Sequence, residues 1–327
     1  MTIFNFYMIY TLFVKQKKYL LGLISVFCYS LTTIAVVASP IAPAKILIVN
    51  SDDSIVKYRE VKEAFKLQIT PDVGRIIDFK IQDAKEPEVL EKLIKSESPD
   101  IIYAIGSLAY QLAAQYSGDK PILFSSVINW ERFGREKNRY GVANELSLSQ
   151  EMSLLRYVLP DLKRVGVIYD PHFSTERIVE ARLQTQELGL KLVELKVEGA
   201  DDLEEKLNSL LSEIDVLWVI ADPGVLADNA TVQKIFDMSA EMKKPIFTYS
   251  DAFVAYGASL IIAADTPTMG RQAANIAKSI LLHETIKENI QTPAGSTITL
   301  NTCQLSKISV SFNSDALDSI NKLIGCN

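Results

Sequence analysis

The sequence predicts an α/β protein built as two doubly wound parallel-sheet lobes. Short apolar runs rich in β-branched residues alternate with segments of helical period. The runs are apolar on both faces, as the strands of a parallel sheet covered on both sides must be. The alternation also occurs twice, interrupted at Leu159–Arg164, and two separate βαβ series wind two separate sheets.

The first 44 residues stand outside this alternation. Lys15, Lys17 and Lys18 precede an apolar run from Tyr19 to Val37, and small residues follow in Val36-Val37-Ala38-Ser39 and Ala42-Pro43-Ala44. A positive patch, an apolar stretch and a small-residue exit make a secretory signal, with cleavage after Ala38 or Ala44. Two features keep alternatives open. The apolar run approaches the ~20 residues that span a bilayer, and a second apolar patch, Ile3 to Val14, precedes the lysines. A start downstream of Met1, such as Met8, and a retained anchor both fit. Cys28 follows Phe27 instead of the small residue expected before a lipidated cysteine. Each reading puts the rest of the chain outside the cytoplasm, in the periplasm.

From Lys45 onward the strand-length runs are Ile46–Val49, Ile76–Ile81, Ile101–Ile105 and Ile122–Val127. Helices near Ile55–Leu67, Glu88–Lys95 and Leu108–Tyr116 lie between them. The second series has strands at Val165–Tyr169, Leu190–Val197, Val216–Ile220 and Ile246–Tyr249, with helices at Glu176–Leu188, Leu203–Leu211 and Val232–Met242. Thr268–Leu282 then reads as a helix with an Ala- and Ile-rich face, Ser296–Leu300 as a strand and Asp315–Leu323 as a short closing helix.

Composition narrows the function. Hydrophobic residues make up 48% and charged residues 23% of the chain, an ordinary globular balance. Net charge is −6, and without the three leader lysines 31 basic residues face 40 acidic ones. No stripe of Lys and Arg interleaved with aromatics is present. Nucleic acid and anionic membrane surfaces, which demand concentrated positive charge, are therefore poor partners. Cys303 and Cys326 are too few for a disulfide scaffold or a zinc site. They either pair in an oxidising compartment or remain two buried thiols.

Ligands of open parallel sheets bind beyond the carboxyl ends of the strands, so candidate cleft residues can be named. Asn50, Ser51, Asp52 and Asp53 follow the first strand, Gly106 and Ser107 the third, and Ser125, Ser126 and Asn129 the fourth. In the second series the candidates are Asp170, Pro171, His172, Phe173, Ser174 and Thr175, then Asp222 and Pro223, then Ser250 and Asp251. A small residue and a serine at a helix start expose backbone N–H groups that suit a carboxylate, or the serine simply caps the helix. Asp222 and Asp251 suit an ammonium group, or cap the helices that follow. His172 and Phe173 can sandwich an apolar ligand or pack locally.

Enzyme signatures are missing. The chain has two histidines, His172 and His283, and no G-x-S-x-G, P-loop, H-E-x-x-H or G-x-G-x-x-G. The paired acids Asp52-Asp53 and Asp201-Asp202 read as solvated or capping groups, and Trp130 and Trp218 as packing residues. No catalytic residue, cofactor or metal is expected.

A family resemblance rests on several stretches. Leu159-Pro160-Asp161-Leu162-Lys163-Arg164-Val165-Gly166-Val167-Ile168-Tyr169-Asp170-Pro171 is the most specific. Pro99 to Ser107, Lys120 to Phe124, Lys244 to Phe247, Ser250-Asp251, Gly257-Ala258 and Gly270-Arg271-Gln272 follow the same family order. From about Lys45 to about Leu305 the chain resembles the tryptophan/tyrosine-type ABC-transporter substrate-binding proteins, which have the type I periplasmic binding protein fold. It departs from them in cleft-side loops, at Ile128-Asn129-Trp130, at His172-Phe173 and from Ala263 to Met269. The resemblance implies two lobes joined by three crossovers, 45–145 with about 266–298 and 146–265 with about 299–327. It also implies a monomer that closes on an amino-acid-like solute and delivers it to a membrane permease. The alternative on the same fold is a sensory receptor that presents its closed form to a membrane signalling partner.

Overall fold

The computed structural model describes residues 43–81, 87–134, 136–197 and 203–326. The leader with Cys28, and the Asp201-Asp202 pair, lie outside the described residues.

The first sheet contains β1 (Lys45–Asn50), β2 (Arg75–Lys80), β3 (Ile101–Ile105), β4 (Ile122–Ser125), β5 (Arg139–Val142) and β11 (Ile290–Gln291). Its strand order is β11-β5-β4-β3-β1-β2 and every pairing is parallel. Helices α1 (Val56–Ile69), α2 (Pro87–Glu97) and α3 (Ser107–Tyr116) connect its first four strands. Strand β1 shows why the runs are continuously apolar. Ile46 and Ile48 face a core with Val61, Phe65, Tyr103, Met269 and Ala273, while Leu47 and Val49 face another with Leu90, Ala109, Tyr110 and Phe124. Each such large side chain contributes roughly 1.5–3 kcal/mol by leaving water. Helix α8 (Thr266–Leu281) supplies Met269 and Ala273 by returning to this sheet late in the chain. It lies so close to α1 that a Cβ on Gly270 would stand 2.4 Å from the Val61 carbonyl oxygen.

The second sheet contains β6 (Arg164–Tyr169), β7 (Lys191–Lys196), β8 (Val216–Val219), β9 (Ile246–Thr248), β10 (Leu260–Ala264), β12 (Ser296–Asn301) and β13 (Lys322–Ile324), in the order β13-β12-β10-β9-β8-β6-β7. Its pairings are parallel except β10 with β12. Helices α4 (Leu148–Val158), α5 (Pro171–Glu187), α6 (Leu203–Glu213) and α7 (Asn229–Glu241) flank it. The chain crosses between the sheets three times: from β5 to α4, from β10 to α8, and from β11 to β12. This is the expected pair of doubly wound lobes.

Three local differences have physical causes. Helix α5 begins at Pro171 and not at Glu176, because the Asp170 side chain caps it and Pro171 is preorganised for the first turn. The predicted closing helix is instead a 3-10 turn, Ser314–Ser319, followed by β13. There Asn321 exchanges bonds with Ile298, giving its N–H to the carbonyl at 2.9 Å and accepting the Ile298 N–H on Oδ1 at 2.7 Å. That pairing draws the tail into extended form. Strands β5, β10, β11 and β13 were not anticipated. Except for β10 they are two to four residues long, too short for a period to be read.

Cys303, on the short helix α9 (Thr302–Lys307), forms a disulfide with Cys326, just past β13. The bond clips the edge strand to the body across a sequence separation of 23. A closed loop of that size stabilises by about 3 kcal/mol in the chain-entropy account. Reduction, or the double variant Cys303→Ser/Cys326→Ser, is expected to lower unfolding free energy by that amount in urea titrations. Coincident curves with and without reductant would remove the clip's assigned role.

Candidate functional site

The loops after the strands' carboxyl ends gather most of the predicted residues of the first lobe. Ser51 Oγ accepts the Ala109 N–H at 2.9 Å and so caps the first turn of α3 from across the sheet. This is possible only because residue 106 is glycine. Its φ is +89°, and a Cβ there would stand 2.6 Å from Ser51 Oγ and 2.9 Å from the Tyr58 ring. Ser107 Oγ accepts the Ile128 N–H at 3.3 Å, which ties the helix start to the loop after β4. In that loop Ser126 and Asn129 both adopt left-handed backbone, with φ of 57° and 49°. Non-glycine residues in this region cost of order 1–3 kcal/mol each and cluster at functional sites. Asp52 is exposed and takes the Ser54 N–H at 2.8 Å. Its neighbour Asp53 is spent on structure, pairing with Lys62 at 2.7 Å and Lys80 at 2.6 Å. Burial opposes its ionisation, but the two lysines outweigh it and hold its carboxyl down at about 2.

In the second lobe the picture is mixed. Asp222 is 1% exposed, and all its acceptor capacity is turned inward. Oδ2 accepts the Asp170 N–H at 2.9 Å and the Ser174 hydroxyl at 2.7 Å, while Oδ1 accepts the N–H groups of Gly224 and Val225. The Asp222–ammonium pairing is therefore corrected: Asp222 braces the loop after β8 and Ser174 serves it. His172 and Phe173 stand on the first turn of α5 and not on a loop. His172 is exposed, with Nδ1 2.9 Å from Asp170 Oδ1, and Phe173 is 52% exposed. The His172 backbone N–H, followed by its ring, holds the Asp170 carboxyl below its ordinary range. Ser250 caps the 3-10 turn Asp251–Tyr256, and Asp251 Oδ1 accepts the Thr299 hydroxyl at 3.1 Å.

Between the lobes lies a cluster of which the sequence pointed only to Asn129. Asn129 Nδ2 donates to the Ala221 carbonyl oxygen at 2.9 Å, a direct bond from the first lobe's loop to the second lobe. Asn129 N–H also points at Glu145 Oε1, 3.4 Å away on the first crossover. Burial pushes the Glu145 carboxyl up to about 7, with Arg177 opposing and Glu131 adding to the rise. Arg177, on α5, holds the buried Glu151 of α4 at 2.8 Å, and its guanidinium sits 5.6 Å from the centre of the Trp218 ring. Burial, and then Glu145, push the Tyr249 hydroxyl up to about 12. One signal was readable: Glu151 interrupts the apolar stripe Leu148, Met152, Leu155 on α4. A charged residue on a core-facing stripe needs a buried partner. Arg177 and Glu145 carried no local signal.

Two α/β lobes, joined by three crossovers and meeting at their strand tips, define a two-lobed binding protein. The chain belongs to the ABC transporter substrate binding protein family, whose model matches residues 45–323. Over 195 residues it is 26% identical to a tyrosine-binding protein of Clostridioides difficile (strain R20291). That match covers 57% of this chain and 56% of the relative, little more than half of its length. Among solved structures, it is similar to the ligand-free, open form of a substrate-binding protein with adhesive properties from Clostridium difficile. There the TM-score is 0.69 at 21% identity, covering 87% of this chain and 100% of the other. It is also similar to an ABC domain in complex with L-Trp from Streptococcus pneumonia, with TM-score 0.60 at 16% identity, covering 86% and 100%.

Proposed function

We propose that the protein is the extracytoplasmic solute-binding component of an ABC import system, and that its lobes close about the three crossovers on a small, amino-acid-like molecule. In this reading it catalyses no reaction and hands its solute to a membrane permease. The lobes divide as 45–145 with α8 and β11, and 146–265 with the segment from β12 onward, the last changeover falling in 292–295. The observation that carries the reading is the meeting of the strand-tip loops of both sheets at Asn129 and Ala221. Exposed Leu108, Ile128 and Phe173, each just beyond a strand's carboxyl end, support a ligand with an apolar part. The Ser107 helix start supports a carboxylate at its other end. The Cys303–Cys326 disulfide is in keeping with an oxidising compartment. Family membership and the relative named for tyrosine direct the first choice of ligand to aromatic amino acids.

A thermal-shift panel of L-tyrosine, L-tryptophan, other amino acids, nucleosides and small organic acids tests this. A ligand at a hundred times its dissociation constant stabilises by about 2.7 kcal/mol, a rise of roughly 5 °C for a protein of this size. A flat response across the panel would count against the solute-binding reading.

A further inference from the structure

We propose that Asn129 is the closure latch of this protein, a residue that joins the first lobe's helix-start site, the first crossover and the second lobe in one place. This rests on the hinge-closure reading above but needs no knowledge of the ligand. Three contacts converge on two consecutive residues. The Ile128 N–H reaches Ser107 Oγ at the start of α3, the Asn129 N–H reaches Glu145 on the crossover, and Asn129 Nδ2 reaches the Ala221 carbonyl beyond β8. The third contact crosses the cleft and breaks when the lobes part. The other two fix where that amide points. The backbone conformation fits the role: φ 49° and ψ 53° place Asn129 in the left-handed region, which asparagine tolerates better than most residues. An amide there supplies a donor at the tip of a loop held from both sides. Ser107 and Glu145 carry the geometry of the site to the latch, so occupation of the helix start and the balance between open and closed forms are linked through this loop. A ligand shifts that balance only by its preference for one form, and the latch sets the balance it works against.

The test is single-molecule energy transfer on the full chain without ligand, between fluorophores attached through non-canonical side chains at Leu67 and Leu183. These positions are 83% and 58% exposed, one on each lobe. Asn129→Gly keeps the left-handed backbone and removes only the donor. It should lower the closed-to-open ratio roughly 2- to 10-fold, the range of one hydrogen bond. Asn129→Asp sets a carboxylate against the Ala221 carbonyl and should open the lobes further. Melting temperatures read in parallel check that both variants fold, and glycine carries no backbone penalty at this φ. The idea is overturned if Asn129→Gly leaves the distance distribution of the wild type unchanged, or if the wild type without ligand occupies only the longer distance. A failure of the ligand panel leaves this measurement intact, so the two readings fail separately.

Discussion

Gly106→Val is expected to unfold the cleft-side start of α3 and to cost about 2–6 kcal/mol. Two separate penalties add. A β-branched residue at φ +89° is a backbone outlier that costs of order 1–3 kcal/mol. The new side chain also has no room. Even a lone Cβ would stand 2.6 Å from Ser51 Oγ and 2.9 Å from the Tyr58 ring, and overpacking of this kind costs typically 1–3 kcal/mol. The collision displaces Ser51 from the Ala109 N–H it caps, so the helix start loses its shape. Melting temperature should drop by at least about 4 °C. A pair of variants separates the terms. In a Gly106→Ala background, Ser51→Gly relieves the collision with the hydroxyl, but the contact with Tyr58, the lost cap on Ala109 and the backbone strain remain, so rescue should be partial. Full rescue would show that φ at 106 carries no cost, and a wild-type melting point for Gly106→Val would refute the packing account.

That glycine illustrates what the sequence made legible. Gly106-Ser107 after a β-branched run announces a strand turning sharply into a helix, and the structure has it there. The two sheets were legible for the same reason: both faces of each central strand are covered, so the apolar signal does not depend on register. The role of Asp222 was not legible. An aspartate after a strand reads equally as ligand or as brace. Only the positions of Asp170 and Ser174 at the start of α5, and of Gly224 and Val225 in the loop after β8, decide for the brace. The inter-lobe cluster was hidden more deeply. Asn129, Glu145, Arg177 and Tyr249 lie on four different segments, and only the folded chain brings them together.

Arg177→Met should be the most damaging change in that cluster, and its damage should depend on pH. Glu151 is 2% exposed, and Arg177 holds it at 2.8 Å. Methionine keeps much of the aliphatic bulk over Trp218 but leaves the carboxylate buried without its cation, a loss of about 3–5 kcal/mol. Burial already raises the Glu151 and Glu145 carboxyls above their ordinary values, and Arg177 opposes the rise in both. A raised carboxyl means that the folded protein binds a proton the unfolded chain has released. The associated stability is present at pH below the unfolded value and is lost as pH climbs through the folded one. Without Arg177 both carboxyls rise further, so the loss extends to higher pH and grows. The deficit of Arg177→Met against wild type should therefore be largest near pH 8 and should shrink toward pH 5, where a neutral acid is cheaper to bury. Urea unfolding at the two pH values reads it directly. Glu151→Gln added to Arg177→Met should recover much of the stability at pH 8, because an amide asks for no counter-charge. An equal deficit at both pH values, or no recovery in the double variant, would mean that Arg177 acts through packing against Trp218 and not through charge.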